Sequence, residues 1–250
     1  MRRDIDEALN GWPYEAEAGE ILAREVKARD GRMVIQVRIE LGLLQMEQDG
    51  RPDGLRPHGF ATYLEYLRHR VASSSRARSW TMSQTHCAEA DREFIQFFHR
   101  RVGWLAVQRF DKALRDADHT LALMDFVADY GPTAEYISSH ERLRGLVLFH
   151  RTQAAAALAL EHRKPDEAID AVQEGSEALS EHEKDWISEN PEDELPNASL
   201  IEQLDLVAGE IRKNFAVEKT LREQLDEAVA DEDYEKAARL RDQIKARARR

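Results

Sequence analysis

The chain has 250 residues, of which 42% are hydrophobic and 34% charged, with only 12 Gly and 7 Pro. This is enough for one large or two small domains, and the balance points to a helix-rich protein with a packed core. The formal net charge of −12 disfavours a protein that coats nucleic acid, and a single cysteine, Cys87, excludes an intrachain disulfide and a cysteine zinc cluster.

The start, MRRDIDEALNGW, has no apolar signal core, and the longest apolar runs are far shorter than a membrane span. Cytoplasmic residence is the expectation. Residues 1–72 read as an α+β segment. Asp30-Gly31 is a hairpin turn pair. After it Met33, Ile35, Val37, Ile39 and Leu41 alternate with Gln36, Arg38 and Glu40, the period of a half-buried strand. A helix through Val34, Val37, Leu41 and Leu44 is the competing reading. A lone ribbon is marginal in water, so it is expected to lie on helices, such as the one suggested by Tyr63, Leu64, Leu67 and Val71.

Gly50-Arg51-Pro52-Asp53-Gly54 and Arg56-Pro57-His58-Gly59 form a turn-rich loop. Arg51, Asp53, Arg56 and His58 are the groups a small polar site would use there, and they define the enzyme alternative. Residues 73–87, with Ser73-Ser74-Ser75-Arg76-Ala77-Arg78-Ser79, read as an exposed connection.

Residues 88–186 read as entirely helical. Arg109-Phe110-Asp111-Lys112-Ala113-Leu114 and Lys164-Pro165-Asp166-Glu167-Ala168-Ile169 share one pattern: an aromatic or Pro opens a helix and a small Ala follows. Thr152-x2-Ala155-Ala156-Ala157-Leu158-Ala159-Leu160 fits a preceding helix. This stretch, from about 94 to 182, resembles tetratricopeptide repeats, which implies stacked helix pairs and a concave binding surface. Ala113 and Ala168 are 55 positions apart, well beyond the usual repeat period, so the resemblance requires an insertion around Asp125 to His140. An ordinary helical bundle is the other reading.

Residues 187–198 are an acidic, proline-containing linker. Ser199-x-x-Glu202 matches a capping box. Leu200, Leu204, Val207 and Ile211 then continue an apolar spacing toward Leu221 and Leu225. One long helix from Leu200 to about Ala230 would hold the chain's end away from the body on a stalk.

The end of the chain, within the segment 199–250, is two short amphipathic helices around an acidic turn. Leu221, Leu225 and Ala228 make one stripe. Tyr234, Ala237, Ala238, Arg241 and Ile244 make another at helical spacing, with Leu240 beside it. Asp231, Glu232 and Asp233 stand where the second helix opens. There they can cap its amides and complement its dipole. Lys245, Arg247, Arg249 and Arg250 stand at its far end. Residues 217–250 carry nine basic and nine acidic side chains, so the acidity of the chain lies upstream.

The pattern DEDYEKAARLRDQIK, with the leucines before it, resembles the UVR motif over about 217–248. This is the helical hairpin of the bacterial excision-repair proteins UvrB and UvrC, with similar copies in some Clp ATPases and in protein-arginine-kinase activators. The activators pair it with cysteine-rich zinc sites, which this chain lacks. The resemblance implies a protein–protein docking element in a bacterial-type adaptor, with Leu221, Leu225, Tyr234, Ala237, Ala238, Leu240, Arg241 and Ile244 as the partner-binding residues. The implied partners are a UvrB/UvrC-like protein in excision repair, a Clp-like protein in quality control, or a second copy of the hairpin. A hairpin that only closes this protein's own core is the plainer alternative.

No phosphate-binding loop, dinucleotide glycine fingerprint or nucleophile elbow occurs. His86, Cys87 and His99 lack a third ligand at metal spacing, and Cys87 would need a placed base to act as a nucleophile. Trp80, Trp104 and Trp186, with Phe94, Phe97, Phe98 and Phe110, would stack bases only if exposed among arginines. The expectation is therefore a mainly α protein that is not an enzyme, with no catalytic residues, cofactor or metal. A direct single-stranded nucleic-acid binder is the remaining rival.

Overall fold

The computed structural model describes residues 5–15, 17, 19–74, 79–190 and 195–247. It divides into two compact units, 1–147 and 148–250. The division falls inside the stretch 88–186 that reads as one helical region in sequence.

The first unit opens with a single helical turn, α1 (Asp6–Asn10), and an antiparallel meander of β1 (Leu22–Lys27), β2 (Met33–Ile39) and β3 (Gly42–Glu47) in the order β1-β2-β3. The Asp30-Gly31 turn joins β1 and β2, with Lys27 opposite Met33. The expected ribbon therefore exists, but a third strand extends it, and Leu41 lies in the β2–β3 turn, 87% exposed. The half-buried reading of β2 is corrected as well. Val34 to Arg38 are all buried, so both faces of this central strand are covered. On one face Arg24 donates to Gln36 and Gln36 to Gln45, both at 2.9 Å, a polar rung across all three strands. Trp12 lies under the Arg24 guanidinium at 4.0 Å, and its carbonyl accepts from Arg38. Ile35 and Val37 pack on the other face.

They pack against α3 (Gln84–Ala106), not against α2 (Tyr63–Ala72) as the sequence suggested. Gly103 sets the approach: a Cβ there would stand 2.9 Å from Val37 and 3.0 Å from Ile35. The α2 residues Tyr63, Leu64, Leu67 and Val71 instead join a core with Phe94 of α3 and with Leu123, Met124 and Val127 of α4 (Phe110–Tyr130). Helix α5 (Ala134–Glu141) follows α4 within the region of the expected insertion. Of the expected connection 73–87, residues 75–78 lie outside the described residues, and Gln84 to Cys87 already belong to α3.

A buried polar network that periodicity does not reveal binds this unit. Arg100 makes a two-point pair with Asp116 at 2.7 and 2.8 Å, both side chains at most 1% exposed. Its remaining nitrogen holds the carbonyls of Glu47 and Gly50. Glu93, fully buried, accepts from the Tyr63 and Leu64 amides at the start of α2 and contacts His119 at 3.0 Å. Burial lowers the Arg101 guanidinium to about 10, though Asp116 opposes the fall.

Helix α6 (Arg144–Glu161) leads into the second unit, where α7 (Pro165–Glu189) and α8 (Asn197–Phe215) share a core of Phe149, Ala156, Ile169, Val172, Leu179, Leu204 and Ile211. Gly175 on α7 leaves no room for a Cβ beside Thr152 of α6. The expected linker 187–198 is shorter than its composition implies. Helix α7 runs through Glu189, and Leu195 and Asn197 are buried, with the Asn197 amide donating to the Leu179 carbonyl. The capping-box reading of Ser199 is also corrected. Helix α8 begins at Asn197, so Ser199 already lies in its first turn.

The stalk is broken. Helix α8 stops at Phe215 because Ala216 turns left-handed (φ 53°), and α9 (Leu221–Ala230) starts afresh at a Thr220–Glu223 capping box. Helix α10 (Tyr234–Arg247) completes the chain as described.

Among the described residues one corner occurs three times. Gln108, Arg163 and Glu232 are left-handed, with φ of 57°, 59° and 58°. Each ends a helix, and a new helix opens two residues later at Phe110, Pro165 and Tyr234. The amide after each reaches back five residues: Arg109 to Trp104, Lys164 to Ala159 and Asp233 to Ala228, at 2.8–2.9 Å. This is the Schellman closure of a helix end. Four residues past each of those amides stands a buried alanine, Ala113, Ala168 or Ala237. The alanine leaves room for the incoming helix.

Candidate functional site: the C-terminal hairpin

Helices α9 and α10 pack on each other through a small core of their own. Ala228 is 1% exposed, Ala237 8% and Leu240 7%, with Leu221 and Leu225 packed against them. Each helix is capped at its N-terminus. The Glu223 amide donates to the Thr220 hydroxyl, and the Lys236 amide donates to Asp233 at 3.0 Å. The acidic turn thus performs the capping its sequence suggests.

The structure divides the residues expected to bind a partner into two sets. Leu221, Leu225, Ala237 and Leu240 face inward and are consumed by the hairpin's own core, with Ile244 partly buried on the same side of α10. Tyr234, Ala238 and Arg241 lie on an adjacent stripe, where Tyr234 is 69% exposed and Arg241 is open to solvent. At 100° per residue, 237, 240 and 244 fall about a quarter-turn from 234, 238 and 241. Sequence spacing merged two neighbouring stripes into one.

The hairpin is also tied to its own unit, through residues that the sequence reading did not single out. Glu223 accepts from the Thr220 amide and from Gln173 of α7, both at 2.8 Å, and from Arg212 of α8. Burial alone would raise its carboxyl, but Arg212 and the Thr220 amide hold it below the ordinary carboxylate range. Arg222 pairs with Glu174 and approaches Glu177 at 3.7 Å. Thr220 is fully buried beside Asp170. One Asp170 oxygen is buried with no hydrogen-bond partner, and burial pushes its carboxyl up, against the lowering effect of Thr220. An open cleft of about 770 Å³ lies beside this joint, lined by Phe215, Val217, Lys219 and Lys236 among others.

The rival loci have their own geometry. Arg51 is 2% exposed and pairs with Asp53 at 3.1 Å and Glu89 at 3.0 Å. Arg51 and Arg56 line a cleft of about 400 Å³, whereas His58 stacks on Tyr66 at 4.0 Å. Cys87 is buried and its thiol is pushed up by burial. The His86 ring accepts from the Ser83 amide as part of the α3 cap. Among the described residues no three His, Cys, Asp or Glu side chains gather as metal ligands. Trp104, Phe94, Phe97 and Trp186 are buried, so their ring faces are not available for base stacking. Among the described residues no helix is long and apolar enough to cross a membrane.

Comparison with curated proteins and with solved structures gives no match. Residues 219–246 match the family of the UvrB/uvrC motif, UVR, and α9–α10 is the part of the chain that carries the match.

Proposed function

We propose that this chain is a protein-interaction adaptor, not an enzyme, and that it docks a partner through the outer stripe of α10. The observation that carries the reading is a coincidence of boundaries. The UVR match, 219–246, spans a hairpin with its own core that leaves Tyr234 and Arg241 exposed, with Ala238 half-buried between them. Tyr and Arg are the side chains most able to anchor an interface, and a small Ala between them admits a partner helix. Asp233, Glu235, Arg239 and Asp242 flank the stripe and set register.

The partner is a UvrB/UvrC-like or Clp-like protein, which would place the adaptor in excision repair or in protein quality control. Self-association is the third outcome. The helical body, tetratricopeptide-like in its repeated corner, supplies a second contact that compensates for a small interface.

The test is co-purification from native lysate at low salt, with the full chain and with Tyr234→Ala/Arg241→Glu. Loss of a partner with the variant supports the reading. Equal recovery would move the docking surface elsewhere. Truncation before the hairpin is a poorer test, because it strips Glu223 and Arg222 from the α7 and α8 residues they engage.

A further inference from the structure

The hairpin and the body of its unit have separate apolar cores. Ala228, Ala237 and Leu240 form one, and Phe149 to Ile211 form the other. Val217, in the connection, is packed against the body core. The side-chain bonds that join α9 to α7 and α8 are polar or ionic: Gln173 and Arg212 on Glu223, and Glu174 and Glu177 on Arg222. Most of these side chains are one-fifth to two-thirds exposed, so salt screens their attraction. A joint made of apolar packing would have the opposite response, since salt does not weaken it.

The connection suits movement. Residues 216–220 are non-helical, and Ala216 holds a left-handed conformation without being glycine. One buried Asp170 oxygen beside Thr220 has no hydrogen-bond partner.

We propose that the α9–α10 hairpin is a latch. It is held on α7 and α8 by a charge clasp centred on Glu223, and it swings as a folded unit on residues 216–219 to free Thr220, Arg222 and Glu223 at the start of α9. The latch does not hide the docking stripe, since Tyr234 and Arg241 are exposed in the clasped state; release frees Thr220, Arg222 and Glu223 instead. The latch itself is a property of the chain alone.

The experiment measures two distances in the full chain by paired spin labels. One pair, on Glu181→Cys and Lys245→Cys, spans body and hairpin. The other, on Asp226→Cys and Arg239→Cys, lies within the hairpin. Salt is raised from about 0.01 M to about 1 M, which takes the screening length from roughly 30 Å to roughly 3 Å. A parallel set carries Glu223→Ala. The expected result is a longer or broadened body–hairpin distance at high salt and with Glu223→Ala, while the distance within the hairpin stays unchanged. A body–hairpin distance that survives both treatments overturns the latch. So does a simultaneous change in both pairs, which would mean that the hairpin unfolds instead of swinging. Neither result depends on a partner, so the latch can fail while docking stands, and the reverse.

Discussion

The amide of Asp233 donates to the carbonyl of Ala228 at 2.8 Å and closes the corner that turns α9 into α10. The residue between them and the turn, Glu232, is held left-handed at φ 58°. For a non-glycine residue this conformation costs about 1 kcal/mol. Glu232→Gly is therefore expected to stabilise the hairpin by up to about 1 kcal/mol, read as a higher unfolding midpoint. Glu232→Val should lower it, because a branched side chain tolerates positive φ least. Equal midpoints for the two variants would contradict the corner geometry.

Ala237 tests which stripe faces inward. It is 8% exposed in the hairpin core, so Ala237→Glu buries a charge without a partner. The expected outcome is loss of helicity from α9 and α10 by circular dichroism, with the first unit unaffected. Ala238→Glu, on the outer stripe, should keep the helicity. Comparable helicity in both variants would show that the two stripes are not distinct.

Arg100 and Asp116 test the first unit. The two-point pair is fully buried, and Arg100 also holds the backbone of the β3 loop. Removing one partner leaves the other charge buried, at a cost of about 3–5 kcal/mol. Arg100→Ala should lower the denaturation midpoint of residues 1–147 accordingly. A change below about 1 kcal/mol would place the pair among ordinary surface bridges.

Asp170 gives a pH-dependent prediction with a definite sign. Burial raises its carboxyl above the ordinary carboxylate value when folded. A group of this kind contributes stability below its unfolded pKa, and the contribution is lost as pH rises through the folded one. At neutral pH the carboxylate is thus a liability. Asp170→Asn keeps an acceptor for Thr220 and removes the charge. The variant should be more stable than the parent at neutral pH, and the advantage should fade on acidification below the folded pKa. Glu223 runs the other way: its lowered carboxyl contributes stability that is lost as pH falls, so Glu223→Gln should flatten the acid limb. An advantage for Asp170→Asn that grows with acidity would contradict the sign.

Much of the fold was legible because its signals are local. Asp30-Gly31 fixed the ribbon's turn, the α4 and α7 starts followed Phe110 and Pro165, and Asp231 to Asp233 marked the second hairpin helix. What sequence could not supply depends on contacts distant in the chain. Gly103 opposite Val37 chose α3, not α2, as the partner of the sheet. Trp12 and Tyr14 lie over Arg24 and Arg38 of the strands, part of why β2 is buried on both faces. The stalk reading failed at Ala216, since nothing about an alanine announces a left-handed residue. Within the site, spacing identified the right residues but merged two stripes a quarter-turn apart. The clasp residue Glu223 was not singled out, because its partners on the body, Gln173 and Arg212, are 50 and 11 positions away.

The central claim is that the outer stripe of α10 docks a partner. The most direct measurement is recovery of co-purifying protein by the tagged full chain and by Tyr234→Ala/Arg241→Glu, after circular dichroism has shown equal helicity. The account predicts a partner that is retained by the parent and lost by the variant. An identical set of partners for both, at equal helicity, would contradict it.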